Sequence, residues 1–253
     1  MNTARRGPRP EYVMTWNGLS VLAVVPARGG SKGIPEKNLR KVGGRSLIEH
    51  SARTAAALSW IDHTVLSTDD EKIAEEGRSC GIEVPFLRPA ALAGDLSPTV
   101  DAWRHAWLAS EEHYGCRFDI SLLLQPTTPL RRPEDVEHTV RAMVEGGHRS
   151  AATVSRVPGH YAPEKIVKLD DEGCLTFCTE QGARHTARQA IPTYYYRNGI
   201  CYSATRDTVV RDAQVSERDC VGVVIDEPVA NIDEPIELEW AEFLAQRSGG
   251  SPQ

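Results

Sequence analysis

The stretch from Ser20 to Lys41, SVLAVVPARGGSKGIPEKNLRK, decides the fold. Its opening, Ser20 to Pro26, is a short apolar run rich in β-branched residues, the pattern of a strand buried on both faces. From Pro26 to Lys41 the chain gathers Gly29, Gly30 and Gly33 with Arg28, Lys32, Lys37, Arg40 and Lys41. Glycine lets backbone N–H groups approach a polyanion closely, and Arg28, Lys32 and Lys37 can neutralise its charge. Open α/β sheets bind ligands at the carboxyl ends of their strands, which is where this loop falls. A solvated basic turn, with glycines for tight geometry, is the other reading of the same residues. The spacing fits neither the G-x-x-x-x-G-K-[ST] phosphate loop nor the G-x-G-x-x-G dinucleotide turn, which disfavours a kinase, a P-loop ATPase or a dehydrogenase.

Working outward, Ser46 and Glu49 have capping-box spacing, and Ile48, Ala52, Ala55 and Ala56 then share one helical face. A strand at Thr64 to Ser67, a helix opening at Thr68-Asp69-Asp70 and a strand at Glu83 to Leu87 continue the alternation. Ser97-Pro98 reads as a helix cap followed by proline at the first helical position, ahead of the stripe Val100, Trp103 and Trp107. The strand Ile120 to Leu124 ends in Gln125-Pro126. Pro133-Glu134-Asp135 then opens a helix with Val136, Val140, Met143 and Val144 inward, before the strand Ala151 to Ser155. This regularity predicts an α/β fold built on a doubly wound, mostly parallel sheet. From Pro158 the pattern changes to the short runs KIVKL and CLTFC around Asp170-Asp171-Glu172-Gly173, a hairpin lobe inserted into the sheet domain. Val221 to Ile225 and a helix after Pro235, with Trp240 and Leu244 one turn apart, close the domain. The expected divisions are a flexible tail at 1–18, the main domain at 19–157, the inserted lobe at 158–200, a return to the main domain at 201–247 and a tail at 248–253.

At 253 residues with 40% apolar content, the chain can bury one sizeable core. A net charge of −6 argues against a general nucleic-acid binder, so any anion site must be local. Six scattered cysteines have no zinc-site spacing and read as reduced thiols, Cys174 and Cys178 as filler in the hairpin. No run is long and apolar enough for a membrane helix or a secretory signal, so a cytoplasmic protein without a membrane partner is expected.

The strings VVPARGGSKGIPEKNL, LSTDD, FLRPAALAGD, LLLQPTTPLR, YRNGICY and NIDEP, in that order between Val21 and Leu244, resemble the acylneuraminate cytidylyltransferases, which make CMP-activated sialic acids. The resemblance implies a Rossmann-like nucleotidyltransferase fold, with the nucleotide in the 19–157 part and a lobe for sugar binding and dimerisation. It also implies CTP and an acidic sugar as substrates, Mg²⁺ as cofactor and a homodimer. Relatives that activate the eight-carbon acid Kdo carry a Lys-Pro-Leu-like string where this chain has Lys37-Asn38-Leu39, which favours a nine-carbon sialic, legionaminic or pseudaminic acid. Purine-transferring relatives have a glycine-rich loop ending in Arg-Met, absent here.

By the same resemblance Arg28, Ser31, Lys32 and Lys37 hold the triphosphate, Arg28 stabilising charge at the α-phosphorus. Asn38, Arg88, Ser97 and Thr99 fall where the family contacts cytidine; a surface ion pair for Arg88 and a cap for Ser97 are the alternatives. Gln125 matches the acyl-sugar contact, a strand-end residue satisfying loop backbone being the alternative, and Lys165, Arg188, Arg197, Asn198 and Tyr202 match the residues around the sugar's carboxylate and ring. Asp233 aligns with the second aspartate of the family's Asp-x-Asp metal motif. Asn231 stands at the first position with a carbonyl oxygen but no charge, and capping of the last helix is the alternative role for Asp233. The implied catalytic set is Arg28, Lys37 and Asp233, serving attack of an anomeric hydroxyl on the α-phosphorus of CTP with pyrophosphate leaving. The stretch VSERDCVGVV lacks the paired aromatics that sialic-acid enzymes present to a partner subunit. Two other readings stay open: the same transfer onto a Kdo-like or phosphonate acceptor, and a CTP-binding regulator without catalysis.

Overall fold

The computed structural model describes residues 16–180, 182, 191–215 and 219–249. Its centre is a six-stranded sheet in the order β10-β6-β9-β5-β1-β4, formed by β1 (Val21–Pro26), β4 (His63–Ser67), β5 (Ile120–Leu123), β6 (Ser150–Arg156), β9 (Tyr195–Thr205) and β10 (Cys220–Val224). β1 pairs in parallel with β4 and β5, and β10 with β6. β9 runs against both β5 and β6. The other five strands therefore point one way, as the alternation predicted.

Helices cover both faces. Val21, Ala23 and Val25 of β1 pack with α1 (Leu47–Ala56), α2 (Glu71–Ser79) and α4 (Pro133–Glu145). Leu22 and Val24 face the opposite layer, where Trp103 and Trp107 of α3 (Thr99–Tyr114) are fully buried. This alternation of one strand's side chains between two cores is the period-2 signature of a doubly wound sheet. Trp16, inside the expected tail, packs edge-on against Trp60 and joins the first core.

Local chemistry sets the helix starts. The Ser46 hydroxyl accepts from the Glu49 N–H at 3.0 Å, the expected cap, and the helix expected to open at Thr68-Asp69-Asp70 is capped by the Asp70 carboxylate, which accepts from the Lys72 and Ile73 N–H groups. Two local expectations fail. Glu83 to Leu87 is no strand: a single parallel bridge, Val65 to Glu83, is all that pairs, and Pro85 has no N–H with which to extend it. Ser97 is no cap either. Pro98 precedes the first turn of α3, while the Ser97 hydroxyl donates to the Ala91 carbonyl at 3.2 Å.

Two smaller pieces flank the main sheet. The hairpin of β2 (Lys41–Val42) and β3 (Arg45–Ser46) leads from the basic loop into α1. The expected lobe contains the hairpin of β7 (Val167–Leu169) and β8 (Leu175–Phe177), exposed along both strands. Position 200, the expected end of the lobe, falls inside β9. The last helix, α5 (Pro235–Gly249), joins a third core in which Ile34 of the basic loop meets Val42, Leu47, Ala230, Ile232 and Ala241. That cluster fixes the basic loop against the 230–233 segment. The cysteines form no disulfide, and among the described residues no helix is long and apolar enough to cross a membrane.

Candidate active site

The carboxyl ends of β1, β4 and β5 carry the basic loop, Thr68-Asp69-Asp70 and Gln125. Because β9 is antiparallel to its neighbours, its first residues lie at that same edge, with Arg197 opposite Val154 and Tyr195 opposite Arg156. One strand direction thus brings the 195–199 segment to the basic loop's side of the sheet.

The basic loop folds around a cleft of about 170 Å³ lined by Arg28, Gly29, Ser31, Lys37, Asn38 and Asp70 among others. Asn38 is buried and donates from Nδ2 to the Arg28 carbonyl at 3.0 Å, so it holds the loop's own backbone. The Gly29 N–H donates to Asp69 at 2.9 Å. Lys37 follows Glu36, whose φ of 51° is left-handed, and its Nζ crosses to the Ile232 carbonyl at 3.0 Å and the Asp233 carboxylate at 2.9 Å. Gly33 permits that approach: a Cβ there would lie 2.6 Å from the Asp233 carbonyl oxygen. The backbone N–H groups of Asp233 and Glu234 donate to Glu237 at the start of α5, while the Asp233 carboxylate accepts from Lys37.

Arg28 and Lys32 converge on one acid that sequence reasoning did not single out. Asp95 accepts from Arg28 at 2.9 Å and from Lys32 at 2.5 Å, and Arg28 also reaches the Ala93 carbonyl at 3.4 Å. The Lys32 ammonium and then the Arg28 guanidinium hold the Asp95 carboxyl below its usual range. The same contacts bring the 89–97 segment, with half-buried Ser97, to the loop, while Thr99 is exposed at the start of α3. Arg88 is buried, not a surface ion pair; it donates to the Ser67 hydroxyl at 3.0 Å and the Ser67 carbonyl at 2.6 Å. Burial lowers its guanidinium pKa, Asp69 opposing the shift.

The second group lies beside β5. Between Ala152 and Val154 of β6, the facing strand passes from Tyr202 to Arg197, so β9 bulges over residues 198–201. The Thr153 hydroxyl donates to the Cys201 carbonyl and accepts from the Cys201 N–H, and the Asn198 carbonyl oxygen of its side chain accepts from the Ile200 N–H. The bulge turns on Gly199 at φ 78°; a Cβ there would lie 2.8 Å from Thr128 Oγ1, 2.9 Å from Gln125 Oε1 and 3.5 Å from Asn231 Oδ1. Gln125, Thr128, Asn198 and Asn231 are therefore immediate neighbours. Asn198 is fully buried, its Nδ2 donating to Ser155. Tyr202 is buried in the core between Leu123 and Ala152, two strands' width of packing that leaves it 7% exposed. Arg197 is exposed on β9 and Lys165 is exposed in the lobe. Arg188 lies outside the described residues.

A sheet whose first loop lines a cleft with Arg28 and Lys37, and whose Lys37 also holds the Asp233 carboxylate, has the layout of a nucleotidyltransferase. The chain belongs to the cytidylyltransferase family: the family model described as "Cytidylyltransferase" matches residues 22–216. It is 30% identical over 226 residues to the post-translational flagellin modification protein B of Campylobacter coli, covering 88% of this chain and 94% of that protein. It is 31% identical over 235 residues to the CMP-N,N'-diacetyllegionaminic acid synthase of Campylobacter jejuni subsp. jejuni serotype O:2, covering 92% and 98%. A solved structure of CMP:2-keto-3-deoxy-manno-octonic acid synthetase complexed with CTP superposes with a TM-score of 0.68 at 18% identity, covering 90% of this chain and 99% of that one. At that identity the last likeness is one of fold.

Proposed function

We propose that this cytidylyltransferase couples CTP to a nine-carbon 2-keto-3-deoxy sugar acid, giving the CMP-sugar and pyrophosphate. The observation that carries the reading is the pairing, at one sheet edge, of a cationic loop with a neighbouring group of amides and hydroxyls around Gln125. Triphosphate needs the first, a polyhydroxylated N-acyl acid the second. The relative named as a diacetyllegionaminic acid synthase supports the nine-carbon branch.

In this reading Asp95 gives up Arg28 and Lys32 to the phosphates, and Ser31 and Lys37 complete the cradle. The Arg28 guanidinium neutralises charge at the α-phosphorus as the anomeric oxygen of the acid attacks in line and pyrophosphate leaves. Ser97 and Thr99 frame the cytidine, with the buried Asn38 and Arg88 holding the Arg28 and Ser67 backbone behind it. Gln125 lines the acceptor side, with Asn198 and Tyr202 buried behind it as support, and Lys165, Arg188 and Arg197 receive its carboxylate. Mg²⁺ fits the donors present: Asp233 is exposed with one oxygen on Lys37, Asn231 offers an amide oxygen, and this ion takes few protein ligands beside substrate phosphates. Among the described residues no three His, Cys, Asp or Glu side chains form a cage of their own. When bound, the ion supplies charge neutralisation at phosphate oxygens.

The homodimer and a cytoplasmic location belong to the same reading. Ile166, Val167, Leu169, Leu175 and Phe177 are exposed on the β7–β8 hairpin, an apolar surface that a second copy of the lobe would cover. Sedimentation at micromolar concentration should give a dimer; a monomer removes that part. The function itself is tested by pyrophosphate release from CTP and Mg²⁺ with N-acetylneuraminic, legionaminic, pseudaminic, Kdn and Kdo acids and a small phosphonate. Release with a nine-carbon acid is expected. Release with Kdo or the phosphonate alone would overturn the acceptor class, and silence with CTP still bound would favour a regulator.

A further inference from the structure

The turn between β5 and α4 holds a cation that the nucleotide half of the site does not use. Arg131 is 5% exposed, and it donates from Nε and Nη2 to the Thr128 carbonyl at 3.2 and 3.0 Å and from Nη2 to the Gln125 carbonyl. Among the described residues no carboxylate pairs with it, and its Nη1 is buried without a hydrogen-bond partner. Burial pulls its pKa down to about 10, which leaves it charged at neutral pH. A solitary buried cation is costly, so its fork of donors must do something a neutral side chain would not.

What it does is visible in the contacts. Gln125, Pro126, Thr127 and Thr128 form a turn closed by the Thr128 N–H on the Gln125 carbonyl at 3.1 Å. Arg131 grips both carbonyls of that turn, and a planar guanidinium fixes their relative orientation as an ammonium could not. From the turn, the Thr128 hydroxyl reaches the Asn198 carbonyl at 3.2 Å and Asn231 Oδ1 at 3.4 Å. Gln125 Oε1 and Thr128 Oγ1 both close over Gly199. One side chain therefore ties together the β5–α4 turn, the bulge of β9 and the 231–233 segment.

We propose that Arg131 is a positioning residue for the acceptor: its guanidinium clamps the Gln125–Thr128 turn so that Gln125 and Thr128 form one fixed, neutral floor for a polyhydroxylated acid, with Thr128 tied to Asn231. Its charge, unneutralised by any described acid, biases that floor towards an anion. The inference rests on the reading of these groups as the acceptor side of the site.

The test uses Arg131→Lys, which keeps a cation without the fork, and Arg131→Gln, which keeps donors without charge. Each is assayed by pyrophosphate release, varying the acid at saturating CTP and then CTP at saturating acid, beside its melting temperature. Both variants should raise the acceptor KM by about tenfold or more and change the CTP KM by no more than about twofold. In a Gln125→Ala background Arg131→Lys should add less than about threefold, because the two act through one turn. A merely structural arginine would instead lower the active fraction and leave both KM values alone, and that result overturns the proposal. If both variants are insoluble, Thr128→Val carries the test: a raised acceptor KM with unchanged CTP KM supports it, an unchanged acceptor KM overturns it. Wild-type protein that turns over none of the acids removes the acceptor reading and the proposal with it; a wild-type enzyme that works while the variants show no split removes the proposal alone.

Discussion

Replacing Gly33 with alanine probes the contact that sets the cationic loop against Asp233. Gly33 does not have a left-handed backbone, so alanine is conformationally acceptable there and would by itself stabilise by roughly 0.4–1 kcal/mol through the unfolded chain. The new Cβ, however, would lie 2.6 Å from the Asp233 carbonyl oxygen, where ordinary contact begins at 3.4 Å. The difference, 3.4 minus 2.6, is about 0.8 Å that must open between two backbones, since no rotamer can relieve it. Overpacking of this kind costs about 1–3 kcal/mol, so the net loss is from near zero to about 2.6 kcal/mol, or up to roughly 10 °C in melting temperature for a chain of this size. The larger effect falls on activity. The displacement acts on the loop that sends Lys37 to Ile232 and Asp233 at 3.0 and 2.9 Å. A misplacement near 1 Å is of the size that costs about a hundredfold in rate. Continuous pyrophosphate release should therefore show kcat/KM for CTP reduced about ten- to a hundredfold, with only a modest shift in melting. A variant with full kcat/KM would refute the argument that this close approach sets the phosphate site.

Arg28→Ala should lower kcat by about two orders of magnitude, the effect of removing roughly 3 kcal/mol of transition-state stabilisation, and undiminished turnover would remove Arg28 from the α-phosphorus. Stability should fall as pH drops below about 6.5. Burial holds His50 below that ordinary value, against the raising effect of its hydrogen bond to Val42, with Arg45 and Arg131 also disfavouring the charge. The unfolded chain therefore takes up its proton first, and stability present above pH 6.5 is lost as pH falls towards the folded pKa. His50→Gln, which can still donate to Val42 without titrating, should flatten that part of a urea-melting curve against pH; an unchanged slope would show that His50 is not its source.

Much of this protein could be read from short stretches of its sequence. The apolar run at Val21–Pro26, the caps at Ser46 and Asp70 and the opening of α4 at Pro133 depend on residues within a turn or two of one another. Local periodicity and capping chemistry therefore specified a doubly wound sheet with a cationic loop at the end of its first strand. The same logic misplaced Ser97, because a serine before proline looks like a cap whether or not its hydroxyl is already turned back to Ala91. It also extended a strand at Glu83 that sheet pairing does not continue.

The tertiary structure alone decided which charges meet. Asp95 is one acid among many in sequence, yet folding sets it between Arg28 and Lys32; Lys37 meets Asp233 across 196 residues. Nothing local marks β9 as the antiparallel strand inserted between β5 and β6, nor its bulge at 198–201, which is what carries Asn198 and Gly199 to Gln125. The burial of Arg131 follows from the closed turn, whose carbonyls its guanidinium holds. Local sequence encodes dihedral preferences and which face is apolar, so it determined the elements and their order. The burial of a particular charge and the partner it finds depend on contacts between distant segments, and those exist only once the sheet has assembled.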